Sequence, residues 1–254
     1  MTAMEQMGKR AKEAAAVLAV AGRKKNDALL AIAQALLSHS EEILKENQKD
    51  LENGKNAGLT PSLLDRLALS QERIAAMAEG VRQVAAMPDP IGTVLSGGVR
   101  PNGLEITKVR VPLGVIGIIF EARPNVTSDA AALCLKAGNA VILRGGKEAI
   151  YSNLAIAGVM REAVAQAGLP RDSVQLVEDT SRQSSVELME LTEYLDVLIP
   201  RGGAGLIKTV VEKSKVPVIE TGVGNCHVFV DESALPAMAE ALVINAKTQR
   251  PSVC

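Results

Sequence analysis

Three polar turns and one terminal thiol hold most of the chemistry this chain could perform. Arg144-Gly145-Gly146-Lys147 follows a short apolar run at 140–143 and places two cations beside two residues without side chains. Glycine lets backbone approach a ligand closely and cations suit a phosphate, while the bland reading is a solvated turn with ordinary surface charges. Pro200-Arg201-Gly202-Gly203-Ala204-Gly205 lies between an apolar run at 196–199 and a helical stretch at 204–213. Free N–H groups at a helix start attract an anion. The turn lacks the G-x-G-x-x-G fingerprint, so phosphate cradle and tight turn stand side by side. The third turn is Glu121-Ala122-Arg123-Pro124-Asn125, in which Arg123 could hold a phosphate or carboxylate or serve only as a structural arginine.

The cysteines are Cys134, Cys226 and Cys254, an odd number without C-x-x-C spacing, which argues against a disulfide framework and a zinc site. Reduced thiols are expected. A lone cysteine is usually a small buried residue, the reading for Cys134 on its apolar helix and for Cys226 at a strand start. His39 and His227 have no cysteine or carboxylate at ligand spacing and read as structural, so no metal is expected.

The elements that position the turns follow from the hydrophobic pattern. Residues 114–120 form a continuous apolar strand, 126–137 a helix and 140–143 a second strand, which is a βαβ unit. The alternation continues as helix 150–167, strand 174–177, helix 182–191, strand 196–199, helix 204–213 and strand 216–219. This predicts an α/β fold with a doubly wound parallel sheet, whose ligands bind at the carboxyl ends of the strands. Upstream lies an N-terminal helical region over 2–87. In it Thr60-Pro61 is a helix start, Ser38 with Glu41 a capping box, and the methionines core filler. A hairpin over 93–111 turns at Pro101-Asn102-Gly103. The pattern restarts at 226–230 as a strand and at 235–246 as a helix, giving a domain over 1–222 and the beginning of another over 223–254.

Composition excludes several classes. Charged residues are 22% and the formal net charge is -1, without a basic stripe or aromatic platform, so nucleic-acid binding is not expected. Aromatics are 2%, so the core is aliphatic. No apolar run reaches the ~20 residues a membrane span needs, and the N-terminus lacks a secretory h-region, which predicts a cytoplasmic protein.

The stretch PLGVIGIIFEARPNVTSDAAALCLKAGNAVILRGGKEA, followed by LIPRGG, ETGVGNCHVFVD and NAKTQRPSVC, resembles the aldehyde dehydrogenase superfamily over essentially all 254 residues. Within it, the resemblance is to the branch that reduces glutamyl 5-phosphate. It implies that Cys254, in QRPSVC, is the nucleophile whose thiolate displaces phosphate from the acyl phosphate and leaves a thioester. Arg250 would lower the thiol pKa or hold a substrate anion, unless it is a surface arginine. Asn125 would donate to the developing oxyanion, against the competing reading of a helix cap. Glu220, 34 residues before Cys254, matches the superfamily's catalytic glutamate, which activates water in hydrolytic relatives; this reaction needs none. Gly145, Gly146, Gly202 and Gly203 would flank the cofactor with Arg144. Lys147 stands where relatives that prefer the unphosphorylated cofactor carry an acid, which points to NADPH/NADP.

The implied reaction is NADPH-dependent reduction of L-glutamyl 5-phosphate to L-glutamate 5-semialdehyde, with phosphate release, in proline biosynthesis. The alternatives are an acylating aldehyde dehydrogenase using a coenzyme A thioester, and a non-catalytic nucleotide-binding fragment. The superfamily continues beyond the position of Cys254, so the resemblance implies a chain shortened at the nucleophile. It also implies a homo-oligomer at full length, built with the hairpin.

Overall fold

The computed structural model describes residues 1–222, 224 and 226–249, so Arg250 and Cys254 lie outside the described residues. It divides into two compact units, Met1–Glu220 and Thr221–Cys254.

The first unit opens with α1 (Ala3–Leu18), α2 (Lys24–Ser38), α3 (Ser40–Asn56), α4 (Pro61–Leu67) and α5 (Gln71–Ala86). Their apolar residues recur at helical spacing and meet in one core, in which Leu18, Leu29, Ile32, Leu36 and Ile74 are buried. Thr60 caps α4 as expected, its hydroxyl accepting the Leu63 N–H at 3.4 Å with Pro61 at the first helical position. The capping box at Ser38 and Glu41 does not form. Ser38 is the last residue of α2, and its hydroxyl donates back to the carbonyls of Gln34 and Ala35 at 3.2 Å, so α3 starts without a side-chain cap. Two buried lysines brace these helices: Lys25 Nζ meets Asp89, in the segment that follows α5, at 2.9 Å. Lys136 Nζ donates at 2.7 Å to Asn26 and at 2.9 Å to the Ala85 carbonyl, an otherwise open acceptor in the last turn of α5.

β1 (Val94–Val99) and β2 (Glu105–Val109) pair antiparallel as the expected hairpin, exposed along both strands. Then β3 (Val115–Phe120), α6 (Asn125–Lys136), β4 (Ala140–Arg144), α7 (Ile150–Gln166), β5 (Val174–Leu176), α8 (Arg182–Glu190), β6 (Val197–Arg201) and α9 (Ala204–Lys213) alternate. The four strands are parallel in the order β5-β4-β3-β6, and β3 is buried at every residue, as a central strand covered on both faces must be. The chain builds outward from β3 through β4 to β5, then crosses back to lay β6 on the other side of β3. With right-handed crossovers this puts α6 and α7 on one face and α8 and α9 on the other. The strand order reverses between β3 and β6.

Two expected strands differ. Residues 216–219 contribute only a bridge between Val218 and Leu198, with the Leu198 N–H on the Pro217 carbonyl at 2.8 Å and the Ile219 N–H on the Leu198 carbonyl at 3.0 Å. The flanking bonds of a parallel ladder would need the N–H groups of Pro217 and Pro200, which proline lacks. In the second unit the run 226–230 is not a strand, because no described strand of that unit lies beside it to complete a ladder, and Val228, Phe229 and Val230 are exposed. α10 (Pro236–Thr248) follows without a buried residue. Among the described residues no helix is long and apolar enough to cross a membrane.

Candidate functional site

The turns singled out by sequence lie at the carboxyl ends of β4, β3 and β6. Because β3 is the middle strand of these three, the turn Glu121 to Asn125 stands between the other two. Register makes the β3–β6 side close: Phe120 pairs with Arg201, so Glu121 emerges beside Gly202. Glu121 Oε2 accepts the Gly203 N–H at 3.0 Å. Gly203 is the N-cap residue of α9, and no side chain of that helix caps it. The negative charge facing the helix start therefore comes from the neighbouring strand. A Cβ on Gly202 would stand 2.7 Å from the Glu121 carboxyl carbon and 2.8 Å from the Leu206 side chain, so a larger residue there would have to move both side-chain ends.

On the other side of β3, the turn after β4 is braced from beneath. A Cβ on Gly145 would meet the Asn153 amide and stand 3.0 Å from the Phe120 ring. Asn153 is buried, its Oδ1 accepting from the Thr127 hydroxyl at 3.0 Å, while its Nδ2 has no partner. The Arg144 guanidinium is already engaged: Nη2 donates to the carbonyls of Thr180 at 2.9 Å and Ser181 at 2.8 Å, and Nη1 to that of Gly145 at 3.1 Å. Burial pulls its pKa down, opposed by the carboxylates of Asp179 and Glu148. Lys147 is exposed and is the cation of this turn turned toward solvent. The start of α7 has its own anion, Asp50 of α3, which accepts the Tyr151 N–H at 3.2 Å, the Ser152 N–H at 2.8 Å and the Ser152 hydroxyl at 2.6 Å. Asn47 completes the clamp with donations at 3.0 Å to Ser152 and 2.9 Å to the Leu67 carbonyl.

Asn125 is the first residue of α6 rather than its cap, which is Pro124, so the helix-cap alternative does not describe it. Its Nδ2 donates to Asp129 one turn along at 2.9 Å. Arg123 is half-buried in the same turn, its N–H on the Glu121 carbonyl at 2.7 Å. Glu220 is exposed, two residues past the Val218 bridge and hence at the same end of the sheet. The structure thus brings Arg123, Asn125, Arg144, Lys147, Gly202, Gly203 and Glu220 to one edge; the expectations for Cys254 and Arg250 fall outside the described residues.

Cys134 is buried and its thiol is pushed up to about 12 by burial, which leaves no thiolate at neutral pH. Cys226, read as a buried residue at a strand start, is exposed, because the strand that would have covered it is not formed. His39 places Nδ1 2.9 Å from the Ala35 carbonyl. Among the described residues no group of three His, Cys, Asp or Glu is arranged to hold a metal. Glu121 lies in the third turn, where its sequence context gives it no role. Nothing local could have linked it to Gly203, 82 residues away; the strand order does.

Comparison with known proteins agrees with this architecture. The sequence model of the aldehyde dehydrogenase family matches residues 2–254. The gamma-glutamyl phosphate reductase of Carboxydothermus hydrogenoformans is 62% identical over 249 residues, which cover 98% of this chain and 60% of that protein. The crystal structure of gamma-glutamyl phosphate reductase from Thermotoga maritima superposes with a TM-score of 0.92 at 46% identity, over 100% of this chain and 61% of its own. The corresponding Saccharomyces cerevisiae structure gives 0.81 at 34% identity, over 98% and 64%. This chain therefore spans about 60% of the length of the curated relatives it matches. The doubly wound sheet, the turns on its carboxyl edge and a family match along almost the whole sequence lead to one conclusion: the chain belongs to the aldehyde dehydrogenase family.

Proposed function

We propose that this chain forms the cofactor-binding part, with the nucleophile, of an enzyme that reduces L-glutamyl 5-phosphate to L-glutamate 5-semialdehyde and releases phosphate, as a step of proline biosynthesis. The observation that carries the reading is the gathering of three ligand-suited turns on the carboxyl edge of the sheet, two of them flanking the β3–β6 switch point, on a chain with 62% identity to a protein named for that reaction. Family membership implies a nicotinamide cofactor. The finer choice of NADPH rests on Lys147, an exposed cation where an acid would repel a 2′-phosphate.

The residues present suit such a dinucleotide. The Glu121 carboxylate on the Gly203 N–H is a stand-in anion at the start of α9, and Gly202 leaves room for close approach. Gly202 and Gly203 would hold the diphosphate, and Lys147, with Gly145 and Gly146, the adenosine side. When bound, the cofactor supplies a hydride equivalent to the acyl carbon. The protein's own part begins at Cys254, whose thiolate forms the S–C bond as the phosphate leaves with the electron pair of the broken C–O bond. Asn125 has an amide hydrogen free beyond the one given to Asp129, and it would meet negative charge developing on the carbonyl oxygen. Collapse of the reduced adduct returns the electron pair to sulfur and frees the aldehyde. Arg123 and Arg250 would hold the substrate's anionic groups, and Glu220 would border the same crevice.

A homo-oligomer in the cytosol is part of this proposal. Its support is the hairpin, where Val94, Leu95, Val99, Leu104 and Ile106 are exposed. The test is Cys254→Ser in a protein of the relatives' full length, assayed as semialdehyde-dependent NADP reduction in the presence of phosphate. Turnover should be abolished with NADPH affinity unchanged to within about twofold; activity that persists would remove Cys254 from this role.

A further inference from the structure

The contact between Glu121 and Gly203 joins the two turns that flank the switch point, and it places a carboxylate where an incoming anion would go. One contact, made by a side chain from outside the helix, marks this as an anion position. A negatively charged side chain from a different element already sits on the Gly203 N–H at 3.0 Å. Glu121 is exposed, so no packing holds it in place. Its charge is also unfavourably placed for a ligand diphosphate, because two anions cannot share one N–H.

We propose that Glu121 is a built-in competitor for the cofactor's diphosphate: in the free protein its carboxylate caps α9 and tethers the β3 turn to the β6 turn, and it gives up the Gly203 N–H when a dinucleotide enters. The inference rests on the reading of α9 as the diphosphate position. It predicts that the free protein binds cofactor less tightly than its backbone geometry permits, and that removing the side chain improves binding.

The experiment is direct binding by calorimetry, with NADPH, inorganic pyrophosphate and adenosine as probes, on the 254-residue chain and its Glu121→Ala and Glu121→Gln variants. Glu121→Gln preserves length and an acceptor oxygen, so it separates charge from shape, and circular dichroism checks that each variant is folded. A helix-terminus anion interaction corresponds to about two- to fivefold in affinity, and lost repulsion adds to it, so NADPH and pyrophosphate should bind about three- to tenfold more tightly to Glu121→Ala. Glu121→Gln should fall between that variant and the parent, and adenosine should be indifferent. Weaker NADPH binding in both variants would make Glu121 a cofactor ligand and overturn the proposal. Equal binding by parent and variants would overturn it as well, while leaving the cofactor reading intact. If neither parent nor variant binds NADPH or pyrophosphate, the cofactor reading fails and the competitor role fails with it.

Discussion

Lys147 and Arg144 are three residues apart and carry the same charge, yet their surroundings give them different work. Arg144 donates from Nη1 and Nη2 to the carbonyls of Gly145, Thr180 and Ser181, so it holds the β5–α8 loop against the end of β4. Lys147 stays exposed at the turn. A phosphate preference should therefore follow Lys147. Lys147→Glu is expected to lower affinity for NADPH relative to NADH by about tenfold, the low end of a charge-assisted contact because solvent screens the site. Equilibrium titration of both cofactors against both proteins measures the ratio, and an unchanged ratio would place the 2′-phosphate elsewhere. At this scale the sequence was legible where type alone decides, as with the buried, inert Cys134. It was not where the partner is distant: nothing near Glu121 announces the Gly203 N–H.

Among the elements, α7 shows how the helical region fixes the site. Its first turn is held by Asp50 from α3, buried to 1% exposure, and the same helix start carries the turn that ends at Lys147. Asp50→Ala would strand two N–H groups and the Ser152 hydroxyl, which should cost about 2–4 kcal/mol in urea unfolding. Burial raises the Asp50 carboxyl above its ordinary 3.8, ahead of the opposing hydrogen bonds from Ser152 and Tyr151. The native state thus holds this proton more tightly than the unfolded chain. The attached stability is complete below pH 3.8 and is lost as pH rises through the higher native value. Asp50→Asn keeps an acceptor without the charge, so it should be milder than Asp50→Ala and should gain on the parent protein as pH rises; equal loss in both variants would show that the clamp does not depend on hydrogen bonding. Helix starts with local chemistry, such as Thr60-Pro61, are readable from sequence. This cap is not, since donor and acceptor are about a hundred residues apart, as the 102-residue separation of Ser152 from Asp50 illustrates.

Across the whole molecule the two units differ in what holds them. In the first, α2 buries Ala28, Leu29, Ile32, Ala33 and Leu36, whereas α10 of the second buries nothing. A helix of 13 residues without packing is marginal in water. Hydrogen exchange followed by mass spectrometry should show α10 exchanging orders of magnitude faster than α2, and comparable protection would mean that α10 is covered in solution. The sequence by itself determined the helical region, the hairpin and the alternation of strands and helices, because each follows from a local hydrophobic period and nearby glycine or proline. It also determined which turns are suited to anions. Only the tertiary structure decided the order β5-β4-β3-β6, which puts Glu121 beside Gly203 and the EARPN turn between two glycine turns. It also decided that 216–219 is a bridge and 226–230 no strand. The physical reason is that a strand exists only with a partner to complete its hydrogen bonds, and strand neighbours are chosen by burial and crossover handedness over distances that no local pattern encodes.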